Sequence, residues 1–247
     1  SRVAEPGPEA DPPPLQTEPI QQWHPLSPPP RPIAPPQRSR APDRPDDLRD
    51  LARQIAADLT PDQLSASPQP GTPSAPALPR QRTTSAVVSR GGGYRAVPRD
   101  TQKDRAVGLA GEVAVAAWLQ RQYGVPREES WKSGLRHYVF ADGSGDDSLG
   151  YDFLIHDGDH TFLYEVKAST GDRGEFELGE SEVERASHLR PDETYTIVYV
   201  SHVLDSTHRR ITPLPNPFSA PGLACYRIVG TAMRLRFELP PGSEPSP

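Results

Sequence analysis

Two carboxylates and a lysine lie on neighbouring strand-like runs, residues 150–156 and 160–167, which flank an Asp-Gly turn. Because side chains alternate along a strand, Glu165 and Lys167 point to the same face. A hairpin turn at this point places Asp152 directly across from Glu165. Opposed carboxylates have Cβ atoms roughly 5 Å apart and destabilise a sheet unless a positive charge neutralises them. The pattern therefore predicts a divalent cation between the two strands.

The same hairpin register makes a second prediction, which concerns the apolar side chains. It pairs Phe153 with Tyr164 and Ile155 with Phe162. These residues alternate with the acidic ones, so they face the other side of the sheet. The hairpin is therefore expected to have one apolar face and one face that carries chemistry.

The chemistry that suits this set of residues is metal-dependent hydrolysis of a phosphodiester. A cation neutralises the charge that develops on phosphate and lowers the pKa of an attacking water. Mg²⁺, or Mn²⁺ in its place, prefers oxygen ligands and retains several waters, so two or three carboxylates and a carbonyl suffice. We assign Asp152 and Glu165 as the main ligands. The Val166 carbonyl and the Glu112 carboxylate complete the set, and Lys167 orients the water or helps to deprotonate it.

Each of these residues also has a simpler interpretation. Glu165 and Lys167 form an ordinary ion pair if the strand is exposed, and such pairs contribute little to stability. Glu112 is otherwise a solvated helix carboxylate. Glu182 either supports the site or merely stabilises the first turn of a helix. His156 shares the face of Asp152 and is either an acid–base group or a surface histidine beside the turn.

Proline content divides the chain into two parts. Of the 32 prolines, 22 lie before residue 100. Residues 1–93 lack the apolar surface that would offset the entropy of ordering them, so we expect a long disordered Pro-rich linker. Periodic apolar runs then predict one folded domain over residues 94–240, followed by a disordered tail at 241–247.

Hydrophobic periodicity within the second part predicts an α/β domain with a mixed sheet, because helices and strands alternate along the chain. The expected helices cover residues 104–123 and 181–189, the latter with Ser181 as N-cap. In the helix at 104–123, Gly108 and Gly111 indicate a close packing approach. The expected strands, in addition to the hairpin, cover residues 130–133, 194–203, 227–229 and 233–239.

One helix is predicted inside the Pro-rich part, at residues 45–64, where Leu48, Leu51, Ile55 and Leu59 have helical spacing. An isolated helix of this length is marginal in water. It is either a docking helix that recruits another domain or a protein partner, or a transient helix without a role. The first alternative would make the chain mainly an interaction hub, with the folded domain as its scaffold.

Charge and cysteine content limit the class of protein. The net charge of -6 argues against nucleic-acid binding by bulk electrostatics, although residues 80–99 carry five arginines and no acid. This run is either a flexible linker or a basic arm that contacts phosphates. The single cysteine, Cys225, and the absence of a membrane-spanning run favour the cytoplasm. Because the chain begins with Ser, we expect upstream domains that are covalently linked to it.

The ordered set of motifs resembles a known family. Asp152 followed by Glu-Val-Lys at 165–167 is similar to the PD-(D/E)xK nuclease superfamily, which has the restriction-endonuclease-like fold. Gly-Leu-Ala-Gly-Glu at 108–112, Gly-Tyr-Asp-Phe at 150–153, Tyr-Glu-Val-Lys-Ala-Ser at 164–169 and Phe-Glu-Leu at 176–178 more narrowly resemble the domain named for the C-terminus of the plant protein NO VEIN. The superfamily's Pro-Asp is replaced here by Gly-Tyr before the acid.

This resemblance implies a three-layer α/β sandwich with a central mixed sheet and a Mg²⁺-dependent nuclease site that acts on DNA, with RNA as the second choice. It also implies a C-terminal effector part of a larger protein, in some cases one of a bacterial defence system. The alternative that the family leaves open is a catalytically inactive module of the same fold that binds nucleic acid or a protein.

Overall fold

The structure, a computed structural model, describes residues 45–74, 101–141, 143–229 and 233–239. The expectations for residues 1–44, for the arginine-rich run and for the tail lie outside these residues. The helices are α1 (Pro45–Asp58), α2 (Thr101–Tyr123), α3 (Arg127–Ser130), α4 (Glu180–Ser187) and α5 (Ala220–Cys225). The strands are β1 (Phe153–Asp157), β2 (His160–Ala168), β3 (Glu175–Glu177), β4 (Glu193–Ser201), β5 (Arg210–Pro215), β6 (Arg227–Ile228) and β7 (Arg234–Arg236).

A four-stranded mixed sheet lies at the centre, in the order β1-β2-β4-β5. The strands β1 and β2 are antiparallel, β2 and β4 are parallel, and β4 and β5 are antiparallel. The strands β3, β7 and β6 form a second, smaller antiparallel sheet. The predicted α/β class with a mixed sheet is confirmed, whereas the restriction-endonuclease-like fold remains a prediction.

The register of the hairpin is the predicted one. Phe153 pairs with Tyr164 and Ile155 pairs with Phe162. Tyr164 packs in a core that α1 and α2 share with one face of the sheet, whereas Leu163 packs in a core between the other face and the smaller sheet. Alternation along β2 therefore separates two cores, and the strand β4 is buried on both faces, as its continuous apolar run predicts.

The helix α1 packs on the domain. Leu48 and Ile55 are buried against α2, and the chain after α1 remains attached because the Trp118 indole donates to the carbonyl of Ala66 (2.9 Å). The helix expected at 45–64 thus exists but ends at Asp58. The linker boundary at residue 93 is corrected by this contact, since residues 45–74 belong to the folded unit. The apolar stripe of α1 is covered by its own chain.

Two local predictions were wrong, and a strand was missed. Residues 130–133 form the end of α3 and a single antiparallel bridge between Trp131 and Phe153 rather than a strand. The N-cap of α4 is Gly179, two residues before Ser181. The strand β5 was missed because Pro213 and Pro215 argued against it. It is an edge strand, in which proline is tolerated when its nitrogen faces away from the neighbour.

The outer side of β5 is partly covered by the chain that follows α1. The Pro213 carbonyl accepts a hydrogen bond from the Gly71 amide (3.2 Å), so the polar groups of this residue point away from β4. In the described ranges, no helix is both long and apolar enough to cross a bilayer.

Candidate functional site

Backbone hydrogen bonds hold Asp152 just before the start of β1. Its amide donates to the Tyr164 carbonyl of β2 (2.9 Å), and its carbonyl accepts from the amide of Lys132 (2.7 Å). Its side-chain Oδ2 accepts from the Val166 amide (2.8 Å). Since the amide and carbonyl of a strand residue point to the same side, the Val166 carbonyl also faces the strand edge beside Asp152. The hairpin thus brings together two of the predicted ligands, the Asp152 carboxylate and the Val166 carbonyl.

Lys167 lies between two glutamates, on the face of β2 that it shares with Glu165. Its Nζ is 2.9 Å from Oε1 of Glu165 and 2.7 Å from Oε2 of Glu182. The same Glu182 oxygen accepts from the Gly179 amide (2.9 Å), which explains why the helix α4 begins there rather than at Ser181. Glu165 is only 4% exposed. The interpretation of Glu165 and Lys167 as a pair on an exposed strand is therefore wrong.

Glu112 reaches the site from α2. Its Oε2 accepts hydrogen bonds from the Trp131 indole (2.6 Å) and from the Ser133 hydroxyl. The helix can come this close because Gly111 lies against β2: a Cβ atom there would be 2.7 Å from the Cβ of Ala168. The close approach expected of this glycine is confirmed, and the interpretation of Glu112 as a solvated carboxylate is wrong, because it is buried.

The three carboxylates raise one another's pKa. Burial raises the pKa of Glu112 to about 8, and the hydrogen bonds from Ser133 and Trp131 oppose this only in part. Burial also raises the pKa of Asp152, to which repulsion by Glu112 adds. The pKa of Glu165 is raised by burial and then by repulsion from Asp152. The electrostatic repulsion that the sequence predicts between Asp152 and Glu165 is thus present in the structure.

Lys167 supplies the positive charge nearest to these acids. Burial acts to lower its pKa, but Glu165 and Glu182 together outweigh burial, so the pKa of Lys167 lies above its ordinary value. The lysine is therefore an ammonium group at neutral pH. In this state it neutralises carboxylates and donates hydrogen bonds, and it cannot accept a proton.

The donor set fits a hard divalent cation in its chemistry, since it consists of carboxylate oxygens and a carbonyl. The hydrogen bonds described above use one oxygen of each acid: Oε2 of Glu112, Oδ2 of Asp152 and Oε1 of Glu165. Among the residues that the structure describes, no three His, Cys, Asp or Glu side chains are grouped closely enough to hold an ion. Asp152, Glu165 and Glu112 are therefore neighbours, but their carboxylates are not arranged as a complete metal-coordination site.

Comparison with known protein families bears on the central part of the chain. Residues 125–213 match the family described as Protein NO VEIN, C-terminal. This range contains Asp152, Glu165 and Lys167, whereas α2 with Glu112 precedes it. The NO VEIN C-terminal part of the predicted resemblance is confirmed over these residues. No curated protein and no solved structure matches the chain.

Sequence reasoning gave Trp131 and Ser133 no role in the site, and it gave Glu182 only an optional supporting role. Trp131 is buried in the core, and its indole also binds Glu112. The Ser133 hydroxyl donates to the same carboxylate. Glu182 was an optional support for the site and proves to be the second partner of Lys167. His156 is exposed and contacts Thr161 near the hairpin turn, far from the acids.

Proposed function

We propose that this domain is a metal-dependent nuclease that hydrolyses phosphodiester bonds in DNA, with RNA as the second choice, and that it is the C-terminal effector part of a larger, defence-related protein. The observation that carries the proposal is the position of Asp152 at the end of the hairpin, where it accepts a hydrogen bond from the Val166 amide and repels the neighbouring Glu165, with Lys167 beside them. The order of these residues is that of the PD-(D/E)xK superfamily, and they lie within the range that matches NO VEIN C-terminal domains.

The roles of the residues follow from their positions. Asp152, Glu165 and the Val166 carbonyl are the proposed ligands of Mg²⁺ or Mn²⁺, and Glu112 completes them once it has lost its proton. The cation supplies stabilisation of phosphate charge and a more acidic water. Lys167, an ammonium group, orients that water through hydrogen bonds; its raised pKa argues against its use as the base.

Cleavage of plasmid and single-stranded DNA with Mg²⁺ or Mn²⁺ tests this proposal. Removal of a ligand in Asp152→Ala, or of the ammonium in Lys167→Ala, is expected to lower the cleavage rate by about 100-fold or more. The matched control is Asp159→Ala, which removes an exposed aspartate from the same hairpin and leaves the rate unchanged. Equal rates for wild type, Asp152→Ala and Lys167→Ala would refute the assignment.

One observation favours a second candidate, a catalytically inactive module that binds nucleic acid or a protein. The ammonium of Lys167 already pairs with Glu165, and also with Glu182, so part of the negative charge at the site is neutralised without a metal ion. Titration calorimetry separates the two functions. Binding of nucleic acid without any Mn²⁺ binding, either alone or in the complex, supports the inactive module.

A further inference from the structure

A groove of about 990 Å³ lies at the β5 edge of the central sheet, which is the edge opposite to β1. Residues between 60 and 71 form one wall, and residues 206–213, which include the first part of β5, form the other. The two walls are connected by a hydrogen bond from the side-chain Nε2 of Gln63 to the Ser206 carbonyl (2.7 Å). A groove of this volume accommodates a small-molecule ligand. It is separate from the carboxylates of the candidate nuclease site.

Arg209, one of the lining residues, is a buried cation, and none of the described residues forms an ion pair with it. Only 3% of its surface is exposed, and its Nε donates to the Val203 carbonyl (2.8 Å). Its Nη1 is buried and has no hydrogen-bond partner in the part of the chain that the structure describes. Asp58 and Asp205 attract it only from a distance, and Asp205 binds His208 instead. A buried guanidinium that lacks a partner costs folding free energy, and an anion would offset that cost.

Thr212 provides a second observation that points to the same ligand. It also lines the groove and is 7% exposed, and its buried Oγ1 finds no hydrogen-bond partner within the described ranges. Most buried polar groups in proteins have a partner, so two such groups along one groove call for an explanation. Both groups are donors, and they belong to the same stretch of chain at the start of β5.

We propose that this groove binds a ligand through a phosphate group, with the guanidinium of Arg209 and the hydroxyl of Thr212 as donors. Guanidinium groups match the geometry of phosphate oxygens. The hydroxyls of Thr60, Ser206 and Thr207 on the walls of the groove are further donors for the remaining oxygens. The single carboxylate on the lining, Asp62, repels an anion that binds at the wall formed by residues 60–71, and therefore favours a phosphate placed toward β5.

The ligand is unidentified, so inorganic phosphate serves as the probe with the full chain. At a phosphate concentration of ten times Kd, the Tm is expected to rise by about 3 to 5 °C relative to chloride of equal ionic strength. Amide NMR spectra recorded along the titration should shift at residues 60–71 and 206–213. Acetate is the carboxylate comparison: equal or tighter binding of acetate would overturn the choice of phosphate, and shifts confined to other regions would overturn the site.

Two variants probe the donors separately. Arg209→Met removes the guanidinium, and we expect phosphate affinity to fall by about tenfold or more. Thr212→Val keeps the shape of the side chain and removes the hydroxyl, and a smaller loss of affinity is expected. The matched control is Arg190→Met, which removes an exposed arginine outside the groove. Phosphate affinity that is unchanged in both Thr212→Val and a folded Arg209→Met would refute the proposal. If Arg209→Met does not fold, unchanged phosphate affinity in Thr212→Val, or wild-type amide shifts outside the groove, would refute it.

Discussion

At the scale of single residues, Glu112 combines burial with two strong donors. The indole of Trp131 and the hydroxyl of Ser133 both bind Oε2, and they hold the carboxyl group in one orientation above the end of the hairpin. Because its pKa is raised to about 8, Glu112 retains its proton at neutral pH until a positive charge approaches. Under the proposed function, arrival of a cation would therefore be accompanied by release of this proton.

The raised pKa of Glu112 makes stability depend on pH. Between pH 4.5 and about 8 the unfolded chain has lost this proton and the folded protein has kept it. Stability therefore falls as pH rises through that window, by up to roughly 1.4 kcal/mol for each pH unit. Glu112→Gln removes this dependence, so in EDTA its Tm should exceed that of wild type by several degrees at pH 8 and equal it near pH 5.

The control for this measurement is Glu184→Gln, which changes an exposed glutamate of α4. It should leave the difference in Tm between pH 5 and pH 8 as in wild type. If Glu112→Gln shows the same decline with pH as wild type, then Glu112 does not carry the proton at neutral pH.

Sequence spacing predicted which acids of the hairpin meet, but it could not predict how they are neutralised. Strand alternation and a two-residue turn set the register of the hairpin, which brings Asp152 close to Glu165 just before β1, so this part of the site follows from local rules. The partners from distant segments do not. Glu182 and Trp131 reach the site only through packing of the layers, and no short-range pattern in the chain indicates that contact.

At the scale of elements, the contact between α2 and β2 depends on one missing side chain. A Cβ at position 111 would be 2.7 Å from the Cβ of Ala168 and 3.3 Å from Cγ1 of Val166. Both neighbours belong to a central strand that cannot move freely, because β1 and β4 flank it. The distance between the helix and the sheet, and hence the position of Glu112, is set by this contact.

Gly111→Ala should therefore destabilise the protein by about 1 to 3 kcal/mol, in spite of alanine's higher helix propensity. Gly108→Ala on the same helix is the matched control. Its new Cβ meets only the flexible Leu135 side chain at 3.4 Å, so the gain in propensity should leave stability unchanged or raise it. Urea denaturation measures both, and Ala168→Gly should restore stability to Gly111→Ala. A Gly111→Ala protein as stable as wild type would contradict this packing argument.

Elements with strong periodicity were predictable, and those defined by tertiary contacts were not. The long helix α2 and the buried strand β4 have unbroken apolar patterns. By contrast, β5 contains two prolines, and its strand conformation is maintained by pairing with β4 on one side only. The start of α4 was misplaced because Glu182 serves both the cap and Lys167, and the second of these contacts is not local.

At the scale of the whole molecule, the segment before α2 contributes to the core. Leu48, Ala52 and Ile55 are each 5% exposed or less and share a core with α2 and the sheet. Burial of a large aliphatic side chain contributes about 1.5 to 3 kcal/mol. Leu48 and Ile55 together would therefore contribute about 3 to 6 kcal/mol, which is a large share of the stability of an ordinary domain.

Two truncations test where the folded unit begins. A chain of residues 45–247 should have the Tm of the full chain within about 2 °C, because all described contacts are kept. A chain of residues 94–247 loses α1 and exposes the apolar face of α2, so its Tm should fall by at least about 10 °C, or it should not fold. Equal Tm values for the two truncations would show that α1 is dispensable.

Pro213 and Pro215 have a consequence for self-association. Both occupy positions of β5 whose polar groups face away from the sheet, as the bond from Gly71 to the Pro213 carbonyl shows. A strand from another molecule that paired with this edge of β5 would face Pro213 and Pro215, whose nitrogens carry no hydrogen. It would therefore lack two of its ladder hydrogen bonds. The two prolines that made β5 hard to predict from the sequence thus also oppose amyloid-like growth from its edge.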